Sequence, residues 1–167
     1  MNLSHTVALK DDPVQRGSID LLAQCINRIY RGLTYLTPVA DLVVRWWVAQ
    51  SFFKAGLTKI ANFDSTILLF TYEYQVPLLA PETAAAMGTA TELSMPILLA
   101  LGLLSRASAG ILFVFNLVAV LSYPAISIFT AIDHQAWAIM LLVTLLHGPG
   151  KLSLDHLISR KLPQWPQ

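Results

Sequence analysis

The stretch AAAMGTATELSMPILLALGLL, residues 84–104, decides the fold class. It is long enough to cross the hydrocarbon core of a bilayer, which takes about 20 apolar residues in a helix. One carboxylate, Glu92, lies near its middle. A charge at that depth is costly unless it is protonated, paired or directed into an internal cavity. The stretch therefore predicts a membrane helix that turns a polar group toward the interior of a bundle.

The composition of the whole chain indicates a membrane protein. Of 167 residues, 55% are hydrophobic and 13% are charged, and the mean hydropathy is +0.58. A soluble domain would have roughly 25% charged residues. A helix in a soluble core is the alternative for any one apolar segment, but three segments of spanning length argue against it. We predict four spans, at about 42–61, 84–104, 107–127 and 130–147, of which the last is the shortest apolar run.

The distribution of Lys and Arg predicts the orientation. Basic residues cluster before the first span, at Arg106 in the second connection, and after the fourth span, whereas the other connections carry mainly Asp and Glu. With four spans, the basic regions fall on one side, and the positive-inside bias makes that side cytoplasmic. The first 18 residues lack the apolar core of a secretory signal peptide. We therefore expect a protein of the cytoplasmic membrane with both termini in the cytoplasm.

These patterns predict an all-α integral membrane four-helix bundle with an amphipathic cytoplasmic surface helix at each end. Residues 1–37 are expected to form a cytoplasmic arm and an amphipathic helix that ends at Thr37–Pro38. The Arg side chains of this helix can bind anionic lipid head groups, or the helix can dock on a partner subunit. Residues 38–150 form the four-span bundle, and residues 151–167 a tail with a short helix capped by Ser153.

Depth along the spans predicts a partner for Glu92. With a rise of about 1.5 Å per residue, Lys54 in the first span matches the depth of Glu92 better than Arg45 does. We predict a Glu92–Lys54 interaction, direct or through water, and we pair Arg45 with Asp41, four residues earlier on the same helical face. The buried charges either fix helix rotation and register, or form a polar site for a proton, a quinone head group or an anion.

Other polar residues join or border this candidate site. Asn116 in the third span can contribute an amide to the site or hydrogen-bond between helices. The connection from about Asn62 to Thr83 is too long for a simple turn. Its tyrosines are either interface anchors or part of a lid over a cavity that opens to the outer face. We assign Tyr72, Glu73, His134 and Trp137 to a possible outer rim.

Metal and covalent chemistry have little support in the sequence. The chain has one cysteine, Cys25, so it has no internal disulfide and no CxxC pair. The four histidines lack ligand spacings such as HxxxH, and no glycine-rich phosphate loop or nucleophile elbow is present. The charge is too small and too scattered for nucleic-acid binding. We therefore predict no metal site and no nucleic-acid partner.

Three stretches together resemble the DoxX family of small bacterial and archaeal membrane proteins. They are RWWVAQSFFKAGLTKI (45–60), TELSMPILLALGLLSRASA (91–109) and HGPGKLSLD (147–155). The resemblance runs from about Asp41 to Asp155 and implies a four-helix bundle in the cytoplasmic membrane. The residues that match recurring polar and glycine positions of the family are Arg45, Gly56, Lys59, Glu92, Gly102 and Arg106. We interpret Asp41, Gly56, Lys59, Gly102 and Arg106 as structural or topological residues.

The resemblance implies the function only by class. The family is named for a subunit of an archaeal thiosulfate:quinone oxidoreductase, and other members are linked to oxidative-stress complexes or to maturation of metal-binding peptides. We favour a non-autonomous membrane subunit of a redox complex, with quinone as the expected cofactor. The alternatives are a small-solute or proton transporter, an accessory protein in maturation or export of a metal-binding peptide, and an anchor for a cytoplasmic enzyme. Expected partners are the lipid bilayer, redox or accessory subunits, and further copies of the chain.

Overall fold

The computed structural model describes residues 13–74, 76–162 and 164–165, so the first 12 residues of the predicted arm lie outside the described residues. Within the described ranges the chain forms helices and no strand, which confirms the all-α class. The helices are α1 (Pro13–Ala61), α2 (Phe63–Tyr72), α3 (Pro81–Leu101), α4 (Ser105–Ser122), α5 (Ile128–His147) and α6 (Leu154–Lys161).

The chain divides into two compact units, residues 1–37 and residues 38–167. In the first unit the side chains of residues 21–37 are all exposed. The placement of this unit and of α6 on a membrane surface stays a prediction. The second unit contains the remaining helices and the candidate functional residues.

Helix α1 includes Pro38, so the prediction that a helix ends at Thr37–Pro38 is wrong. Proline removes one backbone donor and crowds the preceding turn, but one missing hydrogen bond does not end a helix whose neighbouring bonds remain. In that preceding turn the hydroxyls of Thr34 and Thr37 donate to the carbonyls of Tyr30 and Leu33, at 2.9 and 3.3 Å. Proline alone was therefore an insufficient signal for a helix end.

Among the described residues, three helices have the length and apolar composition needed to cross a membrane, namely α3, α4 and α5. Local backbone chemistry, rather than the apolar run itself, determines where they begin and end. Helix α3 starts with Pro81 in its first turn and ends before Gly102, whose φ of +69° is the left-handed conformation that glycine adopts readily. The hydroxyl of Ser127 caps α5 by accepting from the Thr130 amide at 3.2 Å. The helices are therefore displaced by a few residues from the predicted spans.

The segment predicted as the first span, residues 42–61, is the last part of α1 and is not among those three helices. Its basic residues Arg45, Lys54 and Lys59 lower its apolar character. A fourth span at this position, and with it the four-helix membrane bundle, stays a prediction. The segment nevertheless packs closely on the other helices of the second unit.

The core of the second unit is built from one stripe of α1 and facing positions of α3, α4 and α5. The fully buried members of this core are Val48, Ala49, Phe52, Leu99, Ala109, Leu112 and Leu141. A smaller apolar cluster joins Phe70 of α2 to Ala84 and Ala85 at the start of α3. Two polar regions lie beside these apolar clusters, one near α2 and one near the α3–α4 turn.

Candidate functional site

A cavity of about 290 Å³ lies in the second unit, between the last part of α1 and helices α2 to α5. Most of its lining is apolar or aromatic. The ring of Phe52 lies 5.4 Å from that of Trp137 and 6.4 Å from that of Phe115, measured between centroids, and all three line the cavity. The lining residues Leu79 and Met87 are 40% and 56% exposed, so the cavity reaches the molecular surface.

The main polar feature of the cavity is an ion pair between Lys59 and Glu92. The Nζ atom of Lys59 donates to both carboxylate oxygens of Glu92 at 2.5 Å, and both residues line the cavity. The predicted Glu92–Lys54 interaction is therefore wrong. Lys54 is exposed, because a separation of five residues turns its side chain about 140° away from that of Lys59 on an α-helix.

Gly56 lets α1 approach α3 beside this ion pair. A Cβ atom at Gly56 would lie 3.0 Å from Cβ of Glu92 and 3.0 Å from two side-chain atoms of Leu93. Contacts that short are tighter than nearly all real ones, so a larger residue would push the two helices apart. The interpretation of Gly56 as a close-packing position agrees with this geometry.

Asn116 and His134 form a second polar pair beside the cavity. The amide Nδ2 of Asn116 donates to the His134 carbonyl at 3.0 Å, and its Oδ1 lies 2.6 Å from Nδ1 of His134. Asn116 is 1% exposed and lies behind the lining, whereas His134 and Trp137 line the cavity with their rings edge-on at 4.9 Å. The two residues assigned to an outer rim are thus part of the cavity wall.

An aromatic stack lies where the α2–α3 connection meets the cavity. The ring of Tyr74 stacks on those of Phe70 and Tyr123, with centroids 4.9 and 5.0 Å away, and Tyr74 and Phe70 line the cavity. Burial raises the pKa of Tyr74, and the negative charge of Glu92 raises it further. The phenol therefore stays neutral at pH 7 and can act as a hydrogen-bond donor.

The other predicted rim residues, Tyr72 and Glu73, do not line the cavity. Tyr72 is 79% exposed, and Glu73 accepts a hydrogen bond from the Tyr123 hydroxyl at 3.1 Å. That bond is the leading cause of a raised Tyr123 pKa, because ionisation would place two negative charges together. The sequence contained a signal for Tyr74, since it belongs to the same TYEY run, but nothing distinguished its ring from that of Tyr72.

The far end of α3 carries a second polar region, which we call the Asp155 cap: Arg45, Gly102, Leu104, Ser105 and residues 148–155. Asp155 is 1% exposed, and its carboxylate accepts from the amides of Leu104 and Ser105, both at 2.8 Å, and from the Trp165 indole at 3.0 Å. Burial raises the pKa of Asp155, but these hydrogen bonds outweigh burial and hold the pKa below its ordinary value. Asp155 therefore caps the N-terminus of α4 from a distant part of the chain.

Arg45 belongs to this cap and not to an ion pair with Asp41. Its guanidinium donates to the carbonyl of Leu152 at 2.5 Å and approaches that of Leu99 at 3.5 Å. Among the described residues no Arg45–Asp41 ion pair forms, and Asp41 lies against Gly150 instead. Arginine has five donors in a planar fork. Backbone carbonyls at two chain turns engage its two terminal nitrogens, while the buried Nε has no hydrogen-bond partner among the described residues.

Gly102 and Arg106 complete the packing at this end. A Cβ atom at Gly102 would overlap the Arg45 guanidinium and the Ser153 backbone, so the position requires glycine for space as well as for its positive φ. Exposed Arg106 donates to the Leu146 carbonyl at 3.3 Å, where its charge complements the C-terminal end of α5. Nowhere in the described part of the chain do three His, Cys, Asp or Glu residues cluster as metal ligands would.

Comparisons with known proteins identify the family of the chain. The family model of DoxX matches residues 40–125, just over half of the chain. An uncharacterized protein of Haemophilus influenzae is 33% identical over 133 residues, which is 75% of this chain and 87% of that protein. No solved structure shows significant similarity. The chain belongs to the DoxX family and is a membrane protein.

Proposed function

We propose that this DoxX-family protein binds the head group of a lipid-soluble quinone in the cavity that contains Lys59 and Glu92, as the membrane subunit of a redox complex. The observation that supports the proposal is the combination of an apolar, aromatic chamber with a few polar groups on its wall. Small-molecule sites in proteins have this character, with volumes of roughly 300–1,000 Å³. The cavity, at about 290 Å³, suits a single-ring head group.

The polar groups of the cavity have spare hydrogen-bonding capacity. The Lys59 ammonium has three N–H donors, of which Glu92 takes two. The neutral Tyr74 phenol adds another donor. Ring oxygens of a quinone need such donors, while the rings of Phe52 and Trp137 offer surfaces for stacking. These residues can bind and orient a head group, and electron transfer would need a redox centre on a partner subunit.

The membrane placement we propose has four spans, including residues 42–61, and both termini in the cytoplasm. Two of the three basic residues that lower the apolar character of that segment have partners within the second unit. Arg45 binds the Leu152 carbonyl and Lys59 binds Glu92. Charges that are paired inside a bundle are compatible with a spanning helix. In this orientation the cavity lies in the outer half of the bilayer and opens beside α3, within reach of lipid-soluble ligands.

The proposal is tested by measuring binding of a short-tailed quinone to the purified full chain in nanodiscs. Quenching of tryptophan fluorescence reports occupancy, because Trp137 lines the cavity. Gly88 also lines the cavity, with the nearest ring atom 3.4 Å from its Cβ position, so Gly88→Leu should fill the space and weaken binding about tenfold or more. Gly32→Leu is the matched control, since nothing lies within 4 Å of that Cβ position.

Mass spectrometry of solvent extracts supplies an independent result. Copurification of quinone with the wild-type chain and with Gly32→Leu, but not with Gly88→Leu, is the expected pattern. Equal binding by both variants would place the ligand elsewhere, and no binding or copurification by the wild-type chain would refute the proposal.

The ion pair in the cavity also supports a second candidate function, movement of a proton with a small solute. A carboxylate at membrane depth can take up and release protons when its partner moves. In proteoliposomes, a pH gradient should then drive flux that Glu92→Gln abolishes. Flux that persists in Glu92→Gln would exclude proton coupling through this residue.

A further inference from the structure

The Asn116–His134 pair determines which nitrogen of the His134 imidazole carries the proton in the neutral ring. The His134 carbonyl can only accept, so the Asn116 atom that faces it at 3.0 Å must be the NH₂ group. The other amide atom, Oδ1, is then the one that lies 2.6 Å from Nδ1 of His134. Because Oδ1 is an acceptor, Nδ1 must be the donor.

Exchanging the amide oxygen and nitrogen of Asn116 gives no alternative arrangement. The reversed assignment would set two acceptors, Oδ1 and the His134 carbonyl, against each other at 3.0 Å. Asn116 is 1% exposed, and a buried amide in that arrangement would lose both hydrogen bonds. Asn116 therefore fixes neutral His134 as the Nδ1–H tautomer, which leaves Nε2 with an open lone pair.

His134 lines the cavity, and its Nε2 has no hydrogen-bond partner among the described residues. An open lone pair accepts a hydrogen bond. It cannot bind the carbonyl oxygen of an oxidised quinone, because that oxygen is also an acceptor. A hydroxyl group is its natural complement.

We propose that the cavity prefers the reduced, hydroxyl-bearing form of its aromatic ligand, and that Nε2 of His134 accepts the ligand's hydroxyl proton in a hydrogen bond. The inference rests on the proposed function and names the redox form that the cavity holds. Asn116 acts as a positioning residue, since it reaches the ligand only through the tautomer that it imposes on His134.

The test compares two probes that differ only in redox state, a hydroquinone with a decyl tail and the corresponding quinone. Calorimetric titration of the full chain in nanodiscs should give about fivefold tighter binding of the hydroquinone, as expected for one neutral hydrogen bond. In His134→Phe, which keeps an aromatic ring and loses the acceptor, the two probes should bind equally well. Equal affinities in the wild-type chain, or a preference that persists in His134→Phe, would overturn the inference.

Failure of the underlying function gives a different result. If neither probe binds, the proposed quinone site and this inference both fail, whereas equal binding of both probes refutes only the inference. Nitrogen chemical shifts of labelled histidine supply a measurement that does not depend on ligand. The His134 signal, assigned by its absence in His134→Phe, should show a protonated Nδ1 and a bare Nε2 in the neutral ring. A protonated Nε2 would overturn the inference and leave the quinone site in place.

Discussion

The cavity and the Asp155 cap lie at opposite ends of α3 and treat buried charge in different ways. In the cap, the Asp155 carboxylate accepts three hydrogen bonds and the Arg45 guanidinium reaches backbone carbonyls from two segments. In the cavity, Lys59 and Glu92 bind each other but also face open space. The cap uses charge to join distant parts of the chain, whereas the cavity keeps charge accessible to a ligand. The cap should therefore tolerate substitution less than the cavity does.

The largest expected effect is at Gly102 in the cap. Gly102→Ala places a Cβ on a left-handed backbone and into the Arg45 guanidinium and Ser153 backbone. We expect the free energy of unfolding to fall by about 3–4 kcal/mol, measured by chemical denaturation in detergent. Gly110→Ala is the control, because its Cβ would make an ordinary contact of 3.6 Å with Leu145. Similar stabilities of the two variants would contradict the assigned role of Gly102.

The ion pair of the cavity gives the next largest effect. Lys59→Met leaves Glu92 buried without its partner, and we expect a loss of about 2–3 kcal/mol. The loss stays moderate because Glu92 can take up a proton when its partner is removed. Adding Glu92→Gln should restore most of the stability. Lys54→Met is the matched control and should change the free energy of unfolding by less than about 0.5 kcal/mol, since Lys54 is exposed. A larger loss of stability in Lys54→Met than in Lys59→Met would instead support the predicted Glu92–Lys54 interaction.

Asp155→Ala should lower the free energy of unfolding by about 2 kcal/mol, because the first amides of α4 lose their cap. The pH dependence has a definite sign. The folded-state pKa of Asp155 lies below its ordinary value, so its stabilisation is present above the unfolded pKa, roughly 3.9, and is lost as the pH falls through the folded pKa. Unfolding curves measured at successive pH values should show this acid-dependent loss in the wild-type chain and a smaller one in Asp155→Ala.

The smallest effect concerns the Tyr123–Glu73 hydrogen bond outside the cavity. The raised pKa of Tyr123 means that its contribution is present below the unfolded tyrosine pKa, roughly 10, and is lost as the pH rises through the folded value. In an ultraviolet titration, Tyr123→Phe should remove one late-ionising phenol and leave ligand binding nearly unchanged. A titration curve with the same late component in Tyr123→Phe would show that Tyr123 ionises normally.

The sequence was sufficient to predict the membrane class, the family, the α6 cap at Ser153 and the inward placement of Glu92. The predicted partner of Glu92 was wrong because the prediction compared the depths of the residues in the membrane and ignored their rotation about the helix axis. Lys59 lies on the same α1 stripe as Arg45 and Gly56, and its long side chain covers the difference in depth, whereas Lys54 lies on another face. Combining the period of the helix with depth would have selected Lys59.

Two features had no readable signal in the single sequence. Asp155 could be seen at the end of GPGKLSLD, but its bonds to Leu104 and Ser105 join positions about fifty residues apart in the chain. Such contacts depend on tertiary packing, which local patterns do not encode. The size and position of the cavity could not be predicted either. Aromatic and small residues in membrane helices give the same sequence pattern whether they fill a core or line a cavity. The lining residues that stood out in the sequence were Lys59, Glu92, His134 and Trp137.

The Asp155 cap also constrains the order of biogenesis. During synthesis, α4 emerges from the ribosome about fifty residues before the carboxylate that caps it. Until α5 has followed and the tail has returned to the α3–α4 turn, the first amides of α4 must rely on water or lipid head groups. The turn can therefore close only after the last apolar helix has been delivered to the membrane. The Asp155 hydrogen bonds are thus among the last contacts of the described fold that can form during synthesis.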